Sequence, residues 1–209
     1  LAGTITLKTT IELDQKVVRI LGIDPGTNVL GFAVIDAGPQ GIVLVEMGVL
    51  TFTKIGNQQT EKLRYIFEQV QDIIQQYHPE QMAIEAPFYG KNVQSMLKLG
   101  RAQGVAIAAG MVNLLTIEEY MPKRIKRAIT GNGNASKEQV AGMLGNILKQ
   151  ALPTVYYDST DALAVAVCHW NQQSSIGSNM PKKVSGGAWS AFIKNNPTRV
   201  KDKQVKYRE

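Results

Sequence analysis

Four carboxylates stand at the ends of apolar segments: Asp24, Glu85, Asp158 and Asp161. Asp24 closes the apolar run 17–23 and is followed by Pro25-Gly26, a turn signal that frees its side chain from strand pairing. A carboxylate there either opens the turn or, fixed on a rigid strand, ligates a metal ion; this segment alone is compatible with both. Glu85 closes the short apolar run 81–85 in the same way. Asp158 and Asp161 precede the apolar stretch 162–167, and their spacing puts them on one helix face. Two aspartates at a helix start also make good caps and complement the helix dipole. A helix this apolar must nevertheless pack on a sheet, which carries both carboxylates toward the interior, where like charges need a cation. None of the four has a Lys or Arg beside it in sequence, so Mg2+ is the natural compensation.

A sheet is needed to hold these groups together. Residues 17–23 and 31–36 predict a hairpin with Asp24 near its mouth, and 42–53 a third strand that completes an antiparallel meander. Thr60 precedes a helix whose apolar stripe (Leu63, Ile66, Phe67, Val70, Ile73, Ile74, Tyr77) ends at His78-Pro79. The change from helix to strand period at 81–85 then suggests a crossover that lays a parallel strand beside the meander, so that Glu85 and Asp24 converge at one sheet end. Phe88 and Tyr89 follow in a Pro-Phe-Tyr-Gly loop that favours exposure of at least one ring.

Residues 92–113 predict a helix rich in Gly and Ala, small enough to admit a close neighbour in its own chain or a partner. A fifth strand is expected over 114–120, and Pro122 suits the first turn of a short basic helix with Lys123, Arg124, Lys126 and Arg127. Ser136 and Gln139 form a capping-box pattern for a helix ending near Leu148, and a last helix is expected from Asp158 to about Asn171. His78, before a helix-ending proline, and His169, near the end of the last helix, are read as structural.

The net charge of +6 is unevenly distributed. Residues 1–172 hold 15 Lys/Arg and 15 Asp/Glu, whereas residues 173–209 hold 8 and 2. Within the neutral body, 91–137 is a basic block opposed only by Glu118 and Glu119. That segregation suits a polyanion, nucleic acid foremost, although a solvated basic face has the same composition. The single cysteine, Cys168, excludes an internal disulfide and a cysteine zinc cluster. No apolar run reaches membrane-spanning length, and a cytoplasmic location is expected. The predicted organisation is an N-terminal extension (1–16, without the apolar core of a signal peptide), one domain (17–172) and a basic disordered tail (173–209).

At the residues quoted above the chain resembles the RuvC family of Holliday junction resolvases. The resemblance is carried by Gly22-Ile23-Asp24-Pro25-Gly26, Ile84-Glu85 with Phe88 and Lys91-Asn92 after it, the run 131–140 and the Asp158-x-x-Asp161-Ala-Leu-Ala helix, and it spans roughly 17–171. It implies an α/β, RNase H-like fold with a five-stranded mixed sheet flanked by helices. It also implies a homodimeric, metal-dependent endonuclease that makes paired symmetric nicks in four-way DNA junctions during recombination and repair. By the same resemblance Asp24, Glu85, Asp158 and Asp161 are catalytic metal ligands for two Mg2+ ions, with Mn2+ as a substitute. Lys137 and Lys126 lie near the scissile phosphate, and Phe88 enters the junction and stacks on bases. Tyr89 and Lys91, beside Phe88, are further DNA-binding candidates. A RuvA-RuvB branch-migration complex is the partner it suggests.

Three other readings remain at this level. The 22–27 run also resembles the phosphate hairpin of actin-like and sugar-kinase ATPases, but those need a duplicated domain and a second phosphate loop that this sequence lacks. A nuclease of the same fold acting on structured RNA, and a catalytically idle junction-binding protein, are the others.

Overall fold

A computed structural model describes residues 17–53, 55, 58–87, 92–152 and 157–178, with the side chains of 157 and 175–178 excepted. The chain divides into two units, Leu1–Gln173 and Ser174–Glu209, the second described only at 174–178. The elements in order are β1 (Val18–Asp24), β2 (Val29–Gly38), β3 (Gly41–Thr51), α1 (Gln59–Tyr77), β4 (Gln81–Glu85), α2 (Val93–Val112), β5 (Thr116–Tyr120), α3 (Pro122–Thr130), α4 (Lys137–Leu148) and α5 (Tyr157–Ser178).

The strands form one sheet in the order β3-β2-β1-β4-β5. The first three are antiparallel, whereas β4 joins β1, and β5 joins β4, in parallel. The sheet is therefore mixed and five-stranded. Because side chains alternate across a strand, β1 feeds two apolar layers. Leu21 and Ile23 join Val34, Met82 and Ile84 with Val70 of α1 and Ala106 of α2, while Ile20 joins Ala33, Ile35 and Ala83 with α5, Ile125 of α3 and Leu144 of α4. Residues 162–168 of α5 are all buried, as expected for a helix apolar on every side. At the far side of β1, Arg19 pairs with Asp36 through two hydrogen bonds of 2.7 and 2.8 Å and also donates to the Tyr77 carbonyl, which fastens the end of α1 to the sheet.

Strand β2 is longer than the expected 31–36 and β3 ends at Thr51 rather than 53, and three further boundaries differ for identifiable reasons. Helix α1 begins at Gln59, one residue before Thr60, with Gln58 at the cap position making no side-chain bond. Strand β5 begins at Thr116 because the amides of Leu114 and Leu115 still close the end of α2 onto Met111 and Gly110, leaving Leu114 at φ 59° and almost fully exposed. Helix α5 continues to Ser178, well past Asn171, and Gln173 on the added turn hydrogen-bonds Gln81 at 3.0 Å. His169 thus lies within the helix rather than at its end. It is fully buried, with Nδ1 2.8 Å from the Tyr120 hydroxyl and Nε2 2.9 Å from Gln81 Oε1. No helix among the described residues is long and apolar enough to cross a membrane.

Candidate active site

Parallel pairing of β1 and β4, with Ile23 opposite Ile84, brings the two strands to the same sheet edge with Asp24 and Glu85 as their last residues. The start of α5 crosses that edge. Two glycines let it come close: a Cβ at Gly22 would lie 2.2 Å from the carbonyl oxygen of Ala162, and one at Gly31 would lie 2.0 Å from that of Asp158. Backbone thus rests directly on backbone, and α5 delivers its two aspartates to Asp24. One carboxylate oxygen each from Asp24, Asp158 and Asp161 fall within 4.8 Å of one another. Glu85 is outside that triple but lines the same cleft of about 240 Å³, together with Asp24, Asp161, Lys126 and Lys137. A larger groove of about 790 Å³ beside α4 contains none of the four carboxylates.

Electrostatics mark the cleft as short of positive charge. Burial pushes the Asp24 carboxyl up to about 8, reinforced by the charges of Glu85, Asp161 and Asp158 and only partly opposed by Lys137. Burial, with Asp161, likewise raises Glu85 to about 7, against the opposing pull of Lys137 and Lys126. Lys137 Nζ lies 2.5 Å from Asp161 Oδ2. Partial burial opposes the charge on Lys137, but the bond to Asp161 and the fields of Asp161, Asp24 and Asp158 outweigh it and raise its pKa. The lysine is placed by a capping box: Ser136 Oγ accepts from the Gln139 amide, Gln139 Oε1 accepts from the Ser136 amide, and Lys137 is the first residue of α4. Lys126 Nζ donates to the Ala135 carbonyl at 2.8 Å, which ties α3 to the loop before α4.

Three hard-oxygen side chains within coordination reach, with Asp24 and the neighbouring Glu85 disfavoured as anions and Lys137 bonded to Asp161, fit a divalent cation. The structure thus brings Asp24, Asp158 and Asp161 together, with Glu85, Lys137 and Lys126 around the same cleft. Phe88, Tyr89 and Lys91 lie outside the described residues. Gly22, which opens the quoted 22–26 run, and Gly31 carry a signal readable in sequence, since a glycine inside a β-branched strand marks close backbone approach; the backbone they admit, at Ala162 and Asp158, is what the structure adds.

The family model "Crossover junction endodeoxyribonuclease RuvC" matches residues 20–169. A protein of that description from Cytophaga hutchinsonii is 52% identical over 183 residues, covering 87% of this chain and 88% of the relative. Another, from Bacteroides fragilis, is 52% identical over 185 residues, covering 87% and 95%. Among solved structures, Thermus thermophilus RuvC superposes with a TM-score of 0.69 at 28% identity over 77% of this chain and 97% of that one. The same enzyme in complex with Holliday junction substrate, aligned at 24% identity and a TM-score of 0.68, shares the fold. With its RNase H-like sheet, its acidic cluster and a family match running from β1 through most of α5, the chain belongs to the RuvC family of crossover junction endodeoxyribonucleases.

Proposed function

We propose that this chain is a Holliday junction resolvase that cuts four-way DNA junctions by metal-dependent hydrolysis, with two Mg2+ ions as the working cofactor. The convergence of Asp24, Asp158 and Asp161, with Glu85 alongside, beside two lysines carries this reading. Asp24, Asp158, Asp161 and Glu85 would hold the metal. When bound, divalent ions supply Lewis-acid polarisation of a phosphate and acidify a water. The chain's own residues do the rest. Lys137 has donors left over from its bond to Asp161 and presents them to the cleft, where they offset charge building on the phosphate in the transition state. Lys126 borders the same cleft, and Lys123, Arg124 and Arg127 extend positive charge along the outer side of α3 toward duplex backbone. Phe88, three residues after the end of β4 in sequence, would stack on bases at the crossover, with Tyr89 and Lys91 as further DNA contacts.

Paired nicks need two sites, and α2 offers a face for a second copy. Val93, Leu97, Gly100, Gly104, Ile107 and Met111 recur at alternating spacings of four and three residues. Val93, Leu97 and Met111 are more than half exposed, and a Cβ at Gly100 or Gly104 would meet nothing. The small residues of this helix therefore divide: Ala102, Ala106, Ala109 and Gly110 pack on the chain's own sheet, whereas Gly100 and Gly104 open outward. A homodimer through this seam is the arrangement we favour, in the cytoplasm, with a RuvA-RuvB complex as the branch-migration partner the family suggests.

The test is cleavage of a mobile synthetic four-way DNA junction in Mg2+, mapped on every strand beside linear duplex and a matched RNA junction. Symmetric paired nicks at the DNA crossover are expected. Cutting of the RNA instead would replace the substrate, and tight binding without a cut would make the chain an idle junction binder.

A further inference from the structure

Four polar side chains among the described residues are buried: Gln103, Ser159, Thr160 and His169. Ser159 and Thr160 belong to the first turn of α5, and His169 to the Tyr120 network. Gln103 is a different case. It lies on the inward face of α2, only 6% exposed, on a helix face otherwise made of Ala and Gly. A polar amide there needs partners to offset its desolvation.

Its side-chain nitrogen reaches two acceptors, one at close range and one at the outer limit of a hydrogen bond. The first is Glu119 Oε2 at 2.6 Å and the second the main-chain carbonyl of Glu85 at 3.5 Å. That carbonyl is the last of β4, beyond which the Ala86 amide makes a final bond to Tyr120. Gln103 also lines a small cavity of about 140 Å³ with Asp24, Pro25, Glu85, Ala86 and Pro87. It therefore stands directly behind the cleft that holds the carboxylates.

We propose that Gln103 is a positioning residue for the metal site: gripped by Glu119, its carboxamide holds the Glu85 carbonyl and so fixes the direction in which the Glu85 side chain leaves the strand. Glu85 ends its strand with a ladder neighbour on only one side of its peptide, so main-chain pairing holds it less firmly than the rest of β4. The bond to a charged carboxylate is the strong half of the clamp, and the longer bond to the carbonyl transmits it. Gln103 makes its side-chain hydrogen bonds to Glu119 and to the Glu85 carbonyl, and of the four carboxylates only Asp24 and Glu85 share its cavity, so its route to the metal site is at this end of β4. This rests on the reading of Glu85 as a metal ligand; partners behind a ligand commonly change metal affinity 10- to 100-fold.

The experiment compares wild type, Gln103→Leu, Glu119→Ala and Glu119→Gln in the full chain. Mg2+ affinity is measured calorimetrically on the free protein, single-turnover cleavage as a function of Mg2+, and junction affinity in Ca2+. Gln103→Leu and Glu119→Ala should weaken Mg2+ binding about 10-fold and slow cleavage at limiting Mg2+ similarly, with junction affinity unchanged. Glu119→Gln keeps an acceptor for the Gln103 amide and should track wild type. Should Gln103→Leu fail to fold, the exposed Glu119→Ala and Glu119→Gln pair decides alone. Lower melting temperatures with an unchanged Mg2+ dependence would overturn the proposal and leave Gln103 a packing residue. A wild type that binds no Mg2+ and cuts no junction would instead overturn the metal-site reading beneath it.

Discussion

Gly31 stands directly across the β1–β2 ladder from Asp24, and the same glycine is the point on which the Asp158 backbone rests. One residue without a side chain thereby sets the separation of two carboxylates that come from opposite ends of the sequence. Its absence of a Cβ matters for contact rather than for backbone conformation, because Gly31 lies in regular antiparallel pairing.

Gly31→Ala should therefore damage stability and site together. A Cβ 2.0 Å from the Asp158 carbonyl forces α5 away from the sheet, an overpacking cost of about 3 kcal/mol. Lifting the first turn of α5 also separates Asp158 and Asp161 from Asp24, so Mg2+ affinity should fall at least about tenfold. Gly142→Ala is the control: on α4, with nothing near its added Cβ, it should stabilise by about 0.5–1 kcal/mol. Urea melts and metal titrations of both variants check this. A Gly31→Ala protein with unaltered Mg2+ binding would show that the contact does not position the aspartates.

Asp24→Asn separates metal binding from DNA binding and has a pH signature. The Asp24 carboxyl keeps its proton to about 8 in the metal-free fold, whereas in the unfolded chain it loses it near 3.8. A carboxyl whose folded pKa is raised opposes folding as pH climbs between those values, so metal-free wild type should lose stability from pH 4 toward 8. The asparagine variant lacks this penalty and should melt higher than wild type in EDTA near pH 8, by an amount on the order of a few kcal/mol. In Mg2+ the order should reverse, because wild type gains binding energy that the variant cannot. Cleavage should be abolished while junction affinity in Ca2+ persists. If binding and cleavage fell equally, Asp24 would be serving the fold or the DNA rather than the metal.

His169 predicts an acid limb of the opposite sign. Burial holds its pKa below the ordinary 6.5, with Glu118 only partly opposing. The unfolded chain takes up a proton near 6.5 while the buried ring does not, so this contribution is intact above pH 6.5 and is lost as pH falls below it. His169→Gln gives up the Tyr120 and Gln81 contacts and should cost about 1–2 kcal/mol at pH 8. The deficit relative to wild type should narrow toward pH 5. Paired thermal melts at pH 8 and pH 5 are sufficient, and a constant deficit would show that the ring is not held neutral.

How much of this was readable in sequence follows from where the causes lie. The positions of Asp24 and Glu85 were legible because an apolar run ending in a carboxylate and a turn is local information. So was that of Lys137, since Ser136 and Gln139 announce the helix start. The mixed sheet followed from the switch between strand and helix periods. What Gly31 and Gln103 do was not legible, because each acts on a residue far along the chain: a glycine in a strand signals a close approach without naming the partner, and a lone Gln in a small-residue helix does not say which way it faces. The small-residue helix was legible only as a whole. Which of its glycines turn inward depends on the phase of α2 against the sheet, and the sequence alone leaves that phase open. The end of α5 was missed because Gln172 and Ser174 look like the start of a polar tail, while Gln173 finds a partner on β4.

The outward phase of Gly100 and Gly104 yields the last prediction. A Cβ at Gly104 has open space around it, so Gly104→Arg should leave the fold intact and raise monomer stability slightly, since Gly is the poorer helix former. Across a seam where two helices approach through glycine, the same side chain would wedge the copies apart and bury an unpaired charge. Sedimentation at micromolar concentration should then show a monomer for Gly104→Arg and a dimer for wild type, a shift of at least about 100-fold in the dissociation constant. On a four-way junction the variant should lose symmetric paired nicking, leaving single uncoordinated cuts, while its Mg2+ affinity stays that of wild type. Leu97→Glu, a more than half-exposed position two turns earlier, should act alike. If both variants remained dimeric, the seam would be elsewhere, and the exposed apolar row on α2 would need another occupant.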